Sequence, residues 1–145
     1  MIATETAGRL RDAGQRVTGR RLLIAGALAD ARRQVTAQQL WDRLRPLYPA
    51  LGRATVFRAL ESLSEAGLAR RLERDGHVYG YVACRPAHHH HLACRACGQV
   101  EEVGEELVSA ISRRVRRDLG FEIDDARLDF YGRCAGCATP AGPGG

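Results

Sequence analysis

Four of the five cysteines in this chain form two Cys-x-x-Cys pairs, Cys94/Cys97 and Cys134/Cys137, separated by 36 residues. Zinc prefers four tetrahedral thiolate or imidazole ligands, and a gap of two residues lets both cysteines of a pair reach one ion. The spacing therefore predicts one closed structural zinc site that joins two distant parts of the chain. A disulfide framework is the alternative, but such pairs in a chain without a visible secretory signal favour a metal.

A run of four histidines, His88 to His91, precedes the first cysteine pair, and the fifth cysteine, Cys84, precedes the histidines. Successive side chains of a strand point to opposite faces. If the run is a strand, His89 and His91 share one face, and His88 and His90 share the other. One histidine pair can then serve a metal site with Cys84, and the other pair a second site. Surface histidines without a ligand, or an expression tag, are the alternatives.

Length and charge limit the classes of protein to consider. The 145 residues suffice for one ordinary domain or two small ones, and no apolar run is long enough for a membrane span. We therefore expect a cytoplasmic protein without a membrane partner. Residues 1–87 carry 15 arginines and 8 acidic residues, whereas residues 88–145 carry 7 and 9. The basic front half predicts contact with a polyanion, with a solvated arginine-rich surface as the alternative.

Helix signals dominate the front half. Capping residues and periodic apolar residues predict four helices, over 4–13, from Thr18, from Thr36 and over 53–66. Two strands follow, over 68–73 and 77–83, with Asp75-Gly76 as a strong turn signal between them. Helices followed by a two-stranded wing are the layout of a winged helix-turn-helix domain. The back half predicts strands over 88–94 and 99–103, a helix over 105–119, and a strand from Phe121 to Tyr131 that is interrupted near Asp124-Asp125.

Taken together, these segments resemble the ferric uptake regulator family of metal-dependent transcriptional repressors over residues 5–137. The resemblance is carried by AGQRVT at 13–18, RATVFRAL at 53–60, EAGL at 65–68, HHHHL at 88–92, CRACG at 94–98 and FYGRC at 130–134. Because Cys84 stands ahead of the histidines, the chain is most similar to the zinc-uptake regulators within that family.

The resemblance implies an α+β fold and a division of labour along the chain. The expected parts are a winged helix-turn-helix DNA-binding domain over 1–83 and a hinge over 84–87. A small α/β dimerisation domain with the four-cysteine zinc site follows over 88–137, and a flexible tail over 138–145. It also implies a homodimer that represses transcription from an inverted-repeat DNA operator. No enzymatic activity or small-molecule substrate is expected, because no general base is set in a recognisable pocket.

The helix over 53–66 is the candidate recognition helix, because the start of such a helix reaches base edges in the major groove. Thr55, Phe57 and Arg58 lie near its start, and Arg58 can form a bidentate pair with guanine. The family usually has tyrosine at the position of Phe57. Phenylalanine retains an apolar contact with a thymine methyl group but loses the hydroxyl. Packing in the core is the alternative for Phe57.

Three arginines upstream complete the expected DNA contacts. Arg16 matches a basic family position that reaches DNA near the minor groove. Arg20 and Arg21 are expected to contact phosphates, because the front half is strongly basic. Each of the three can instead be a solvated helix residue.

The resemblance implies a regulatory metal site formed by the cysteine and the second and fourth histidines, that is, Cys84, His89 and His91. The position that often supplies the fourth ligand holds Arg70, which cannot bind a metal. Glu102 matches a ligand position of another subgroup of zinc regulators and is the first candidate for the fourth ligand. His77 is the second candidate, and a site completed by water is the third.

A second regulatory site of the family normally adds a glutamate and a histidine to the remaining pair, His88 and His90. The matching positions here hold Ser109 and Ala126, so we expect this site to be weak or absent. The alternative function is a redox or peroxide sensor with structural zinc, in which thiolates are oxidised and DNA is released.

Iron sensing is not expected. Gln34 and Gly80 stand where iron-type relatives carry metal ligands. An amide and a glycine cannot replace the imidazole or carboxylate ligands that a regulatory metal needs. A zinc-dependent enzyme that uses the histidines around an open site is the remaining alternative, with hydrolase activity as its signature.

Overall fold

The structure, a computed structural model, describes residues 2–84 and 90–138, with the side chain of Ile2 excepted. The chain divides into two compact units, residues 1–87 and 88–145. Within the described ranges, no helix is both long enough and apolar enough to cross a membrane.

Over residues 2–84, the first unit folds into four helices followed by a β-hairpin. Its elements are α1 (Ile2–Asp12), α2 (Gly19–Ala31), α3 (Ala37–Leu44), α4 (Arg53–Glu65), β1 (Ala69–Arg74) and β2 (Val78–Ala83). The two strands pair antiparallel, with Leu72 opposite Gly80. They are joined by a short turn over Asp75–His77 in which Gly76 has a φ of 77°. These elements form the predicted winged helix-turn-helix.

Threonine caps mark the starts of α2 and α3. The Thr18 hydroxyl accepts a hydrogen bond from the Arg21 N–H at 3.3 Å and begins α2. Thr36 and Gln39 form a complete capping box at α3. The Gln39 N–H donates to the Thr36 hydroxyl at 3.1 Å, and the Thr36 N–H donates to the Gln39 side-chain oxygen at 2.9 Å. After α4, Gly67 adopts a left-handed φ of 66°, which reverses the chain into β1.

The apolar faces of the helices meet in one hydrophobic core. On α4, Val56, Leu60 and Leu63 are fully buried, with the i, i+4, i+7 spacing of a helix face. Tyr81 of β2 joins the same core, and its backbone exchanges two hydrogen bonds with Val35, of 3.0 and 2.7 Å. The hairpin is therefore fixed to the helices, and the opposite face of α4 is left outside the core.

Residues 90–138 of the second unit fold into a small mixed sheet and one helix. The elements are β3 (His90–Cys94), β4 (Val100–Val103), α5 (Glu105–Leu119) and β5 (Asp129–Gly132). The strand order is β4-β3-β5, with β4 antiparallel and β5 parallel to the central β3. Together with the first unit, this sheet confirms the α+β fold class.

The last strand is shorter than the sequence predicts. The expected strand from Phe121 to Tyr131 forms only over Asp129–Gly132, and Phe121 is 65% exposed. Hydrogen bonding to β3 begins only at Leu128, whose carbonyl accepts the His91 N–H at 3.1 Å. The prediction was wrong over residues 121–128, because an apolar alternation forms a strand only where a partner strand is within reach.

Candidate metal centres and DNA-contacting surface

The two cysteine pairs meet because β3 and β5 run parallel. Cys94 ends β3 and lies opposite Gly132 of β5, so the chain leaves both strands at the same edge of the sheet. Backbone bonds hold both turns, from Arg95 N–H to the Gly132 carbonyl at 3.0 Å and from Cys137 N–H to the Cys134 carbonyl at 2.9 Å. The parallel pairing therefore brings together cysteine pairs that are separated by 36 residues.

The four sulfur atoms have the spacing of a tetrahedral metal site. All of them lie within 4.8 Å of one another, and the Sγ atoms of Cys97 and Cys134 are 3.7 Å apart. Zinc–sulfur bonds of about 2.3 Å in a tetrahedron place the sulfurs about 3.8 Å apart. All five cysteines lie within the described residues, and none forms a disulfide. The donor set therefore fits a closed zinc site.

The protonation of these thiols also favours a bound cation. Hydrogen bonds from the backbone N–H groups of Cys97 and Cys134 lower the pKa of Cys94 to about 6. The pKa of Cys137 is raised to about 12, mainly because its side chain is hydrogen-bonded to those of Cys134 and Cys97. Converging sulfurs cannot all ionise unless a cation compensates their charge. A divalent metal would supply that charge and stabilise the unit.

The last two residues of the histidine run, His90 and His91, begin β3. His90 and His91 are both buried, at 1% and 3% exposure. Their rings have different partners. The His90 ring is hydrogen-bonded to the backbone of Leu128, and the His91 ring to the carboxylate of Asp129. His88 and His89 lie outside the described residues.

The candidate regulatory histidine His91 has a neighbour, Asp129, that was not predicted from the sequence. His91 lies opposite Glu102 on β4 and opposite Asp129 on β5. Because paired residues of adjacent strands project to the same face, these three side chains form one row across the sheet. The His91 Nδ1 atom lies 3.3 Å from Asp129 Oδ1. This pairing was not predicted, because the sequence places the start of the last strand at Phe121 instead of Asp129.

Cys84, the candidate regulatory cysteine, directly follows β2 in the first unit, and its N–H donates to the Leu68 carbonyl at 2.9 Å. Arg70 is half-buried on β1. His77 lies in the hairpin turn, where its ring contacts Glu73 at 2.9 Å. The six residues of β2 separate His77 from Cys84, and a strand of that length spans about 20 Å. His77 therefore cannot share an ion with Cys84.

The positions that match the second family site do lie together. His90, Ser109 and Ala126 line a cavity of about 220 Å³, which is also lined by Glu105 and Asp124. Ser109 and Ala126 offer a hydroxyl and a methyl group in place of a carboxylate and an imidazole. In the described part of the chain, only the four cysteines bring three or more ligand atoms of His, Cys, Asp or Glu close together.

Gln34 and Gly80 are packed against each other. Gln34 is 1% exposed, and a Cβ added at Gly80 would meet its side chain. The Gln34 Nε2 donates to the Leu72 carbonyl at 2.6 Å, while Oε1 is buried with no hydrogen-bond partner among the described residues. An amide thus fills the space where iron-type relatives are expected to hold a metal.

The start of α4 presents its predicted base-reading residues outside the core. Phe57 is 39% exposed, and the Arg53 guanidinium lies 5.8 Å from the centre of its ring. The alternative of core packing therefore does not apply to Phe57, because its neighbour Val56 is the buried residue of this turn. Arg58 is exposed and Thr55 is half-buried. This arrangement leaves an apolar ring and a guanidinium side by side on the helix surface.

The three upstream arginines differ in their surroundings. Arg16 and Arg20 are exposed, whereas Arg21 is half-buried. The Arg21 guanidinium donates to the Arg16 carbonyl and so holds the segment that leads into α2. Arg16 and Arg20 are thus better placed than Arg21 to meet phosphates.

Comparisons with known proteins agree with this fold. The model of the ferric uptake regulator family matches residues 12–131. The zinc uptake regulation protein of Mycobacterium tuberculosis is 36% identical over 127 residues, covering 88% of this chain and 98% of the relative. The ferric uptake regulation protein of Escherichia coli K12 is 32% identical over 127 residues, covering 87% and 86%.

Solved structures give the same result. The ferric uptake regulator from Pseudomonas aeruginosa with manganese aligns with a TM-score of 0.68 at 29% identity, covering 93% of this chain and 99% of that one. A zinc uptake regulator complexed with zinc and DNA aligns with a TM-score of 0.64 at 26% identity, covering 92% and 91%. The chain therefore belongs to the ferric uptake regulator family, a family of metal-responsive transcriptional regulators.

Proposed function

We propose that this protein is a zinc-responsive transcriptional repressor that binds an inverted-repeat DNA operator as a homodimer. The observation that carries the proposal is the combination of an exposed recognition-helix start in one unit with convergent thiolates in the other. Thiolate and imidazole ligands suit zinc. The relatives named as a zinc uptake regulation protein and as a zinc uptake regulator complexed with zinc and DNA support the choice of metal and partner.

DNA recognition is assigned to the exposed face of α4. Arg58 would form a bidentate pair with guanine, and Phe57 would contact a thymine methyl group, with Thr55 beside them. Arg16, Arg20 and Arg21 would contact the backbone. Residues 1–87 carry 15 arginines and 8 acidic residues, so binding should weaken steeply as salt rises.

The second unit supports a dimer because its apolar side chains are only partly covered. Its buried apolar residues, in the described part, are Ala93, Cys94 and Val108. By contrast, Leu92 and Phe130, which are partners on adjacent strands, are 45% and 39% exposed. A second copy of the chain would bury this face, and the resulting two-fold symmetry would match two half-sites of an operator.

Two zinc ions per chain are proposed. Cys94, Cys97, Cys134 and Cys137 would hold the structural ion, which stabilises the dimerisation unit. Cys84, His89, His91 and Glu102 would hold the regulatory ion. Zinc would favour DNA binding only to the extent that it binds more tightly to the operator-binding arrangement. Zinc abundance would then silence genes for zinc import.

DNA affinity at controlled free zinc tests the proposal. An operator selected from random inverted repeats would be titrated by fluorescence anisotropy, with free zinc fixed by a metal buffer. We expect zinc to tighten binding, and Cys84→Ser and Glu102→Ala to remove that effect. Glu122→Ala is the matched control, because it removes an exposed carboxylate of the same unit that lies outside the three strands of the sheet. Equal affinity with zinc and with chelator would refute the switch.

The same assay distinguishes the redox alternative from zinc sensing. Peroxide would be added while free zinc is held constant. DNA release under these conditions, reversed by a thiol reductant, would favour oxidation of the thiolates over zinc sensing.

A further inference from the structure

We propose that Asp129 is a positioning residue that makes His91 a metal ligand, and that the neighbouring Leu128 holds His90 in the opposite, non-ligating tautomer. The inference rests on the proposed function, because it concerns how one of the regulatory ligands is prepared. It concerns Asp129, the first residue of β5, Leu128 directly before it, and the two histidines of β3 that they contact.

The contact between His91 and Asp129 is held by the sheet. The two residues are direct partners on parallel strands, and their side chains are only 4% and 14% exposed. The His91 N–H also donates to the Leu128 carbonyl, so the backbone beside the contact is fixed as well. A buried histidine whose neighbour on the next strand is a carboxylate has little freedom to turn its ring.

The carboxylate determines which ring nitrogen carries the proton. A neutral imidazole has one N–H and one nitrogen with a lone pair, and an ionised carboxylate can only accept. His91 must therefore donate from Nδ1 to Asp129, at 3.3 Å, and its Nε2 keeps the lone pair. Histidines that bind metals commonly donate their other N–H to a carboxylate in this way, which orients the ring and makes the ligand more basic.

His90 is held in the opposite tautomer, with its ring proton on Nε2. The backbone N–H of Leu128 lies 3.2 Å from His90 Nδ1, and a backbone N–H can only donate. His90 Nδ1 must therefore accept, which places the ring proton on Nε2. A metal at Nε2 would need that proton to move and the bond to Leu128 to break. This explains in physical terms why the cavity beside Ser109 and Ala126 is poorly suited to a metal.

Ring-nitrogen NMR tests the tautomers directly. Long-range ¹⁵N–¹H spectra would be recorded on the full chain with the cysteine site loaded and other zinc removed. We expect His91 to be protonated at Nδ1 and His90 at Nε2, and Asp129→Ala to release the His91 preference without changing His90. The same tautomer at both histidines in the unaltered chain would overturn the proposal.

Zinc affinity tests the consequence. Competition with a chromophoric chelator would measure the second zinc ion, and we expect Asp129→Ala to weaken it by about 10- to 100-fold. Asp129→Asn should lose less, because its carbonyl oxygen can accept the same bond. Asp125→Ala, which removes an exposed carboxylate of the preceding loop, is the matched control.

Failure of this inference is distinguishable from failure of the proposed function. If the unaltered chain binds a second zinc that tightens DNA binding, but Asp129→Ala binds it equally well, the positioning role is wrong. If the unaltered chain never binds a second zinc, the proposed function itself fails. Retention of one zinc per chain in Asp129→Ala would show that the cysteine site, and with it the fold of the unit, is intact.

Discussion

Gly80→Ala should destabilise the first unit strongly, although it adds only one methyl group. The added Cβ would lie 2.7 Å from both Cδ and Nε2 of Gln34, and closer still to its Cγ. Cβ atoms in proteins essentially never approach other heavy atoms to within 3.0 Å. Gln34 is 1% exposed, so its side chain cannot give way without displacing its neighbours.

Two costs add in this substitution. Overpacking a buried site costs about 1–3 kcal/mol. Moving Gln34 also breaks the 2.6 Å bond from its Nε2 to the Leu72 carbonyl, and an unpaired buried polar group costs about 1–3 kcal/mol. The unpaired Oε1 of Gln34 gains some solvation when the side chain moves, which offsets part of this. We therefore expect a loss of about 2–4 kcal/mol, or roughly 10–25 °C in Tm.

Urea denaturation followed by fluorescence would measure this loss. The single tryptophan, Trp41, lies on α3 of the same unit and donates to the Leu51 carbonyl at 2.9 Å. Gly26→Ala in α2 is the control, because no atom lies within 4 Å of the added Cβ. It should be neutral or stabilise by up to about 1 kcal/mol.

A double-mutant cycle identifies the cause. Gln34→Ala with Gly80→Ala removes the clash, so the two substitutions should couple by at least about 1 kcal/mol. A Gly80→Ala protein within about 0.5 kcal/mol of the unaltered chain, or strictly additive substitutions, would refute the reasoning.

Three further outcomes follow from the contacts described above. Thr36→Ala should lower the free energy of unfolding by about 1 kcal/mol, because it removes the capping box, and Thr36→Ser should restore most of it in the same fluorescence assay. Phe57→Ala should weaken DNA binding by about fivefold or more with little change in stability. Val56→Ala should instead cost about 2 kcal/mol of stability, and the reverse pattern would contradict the assignment of the two faces. Cys97→Ser should remove one zinc per chain and dissociate the dimer, measured by elemental analysis and light scattering, and an intact zinc-loaded dimer would contradict the structural role.

Local signals made the first unit predictable. The threonine caps at Thr18 and Thr36 begin α2 and α3, and the turn residues Asp75-Gly76 join the two strands of the wing. Each of these signals acts through hydrogen bonds or backbone preferences within a few residues. The helix α4 followed equally from the spacing of its buried residues, but its sequence left core packing open for Phe57, which the structure places on the exposed face.

The pairing of distant strands was not predictable in the same way. Phe121 and Ile123 alternate with polar residues as a strand does, yet they find no partner strand among the described residues. The register that places Asp129 opposite His91 depends on residues 38 positions apart. No local preference reports such a pairing, so the sequence could suggest His91 as a candidate ligand but not the carboxylate beside it. The contact of Gln34 with Gly80 is non-local for the same reason.

The proposed structural and regulatory zinc sites share one strand pairing. The parallel ladder of β3 and β5 has Cys94 opposite Gly132 at one end and His91 opposite Asp129 at the other. A slip of one residue would turn every side chain of β5 to the other face of the sheet, and Asp129 would no longer meet His91. Over residues 90–138 the second unit buries few apolar residues that could fix this register, so a zinc-loaded cysteine site would help to fix it from its end of the ladder. A structural zinc would therefore contribute to the proposed sensing without changing its own state, because it would maintain the pairing on which the orientation of His91 depends.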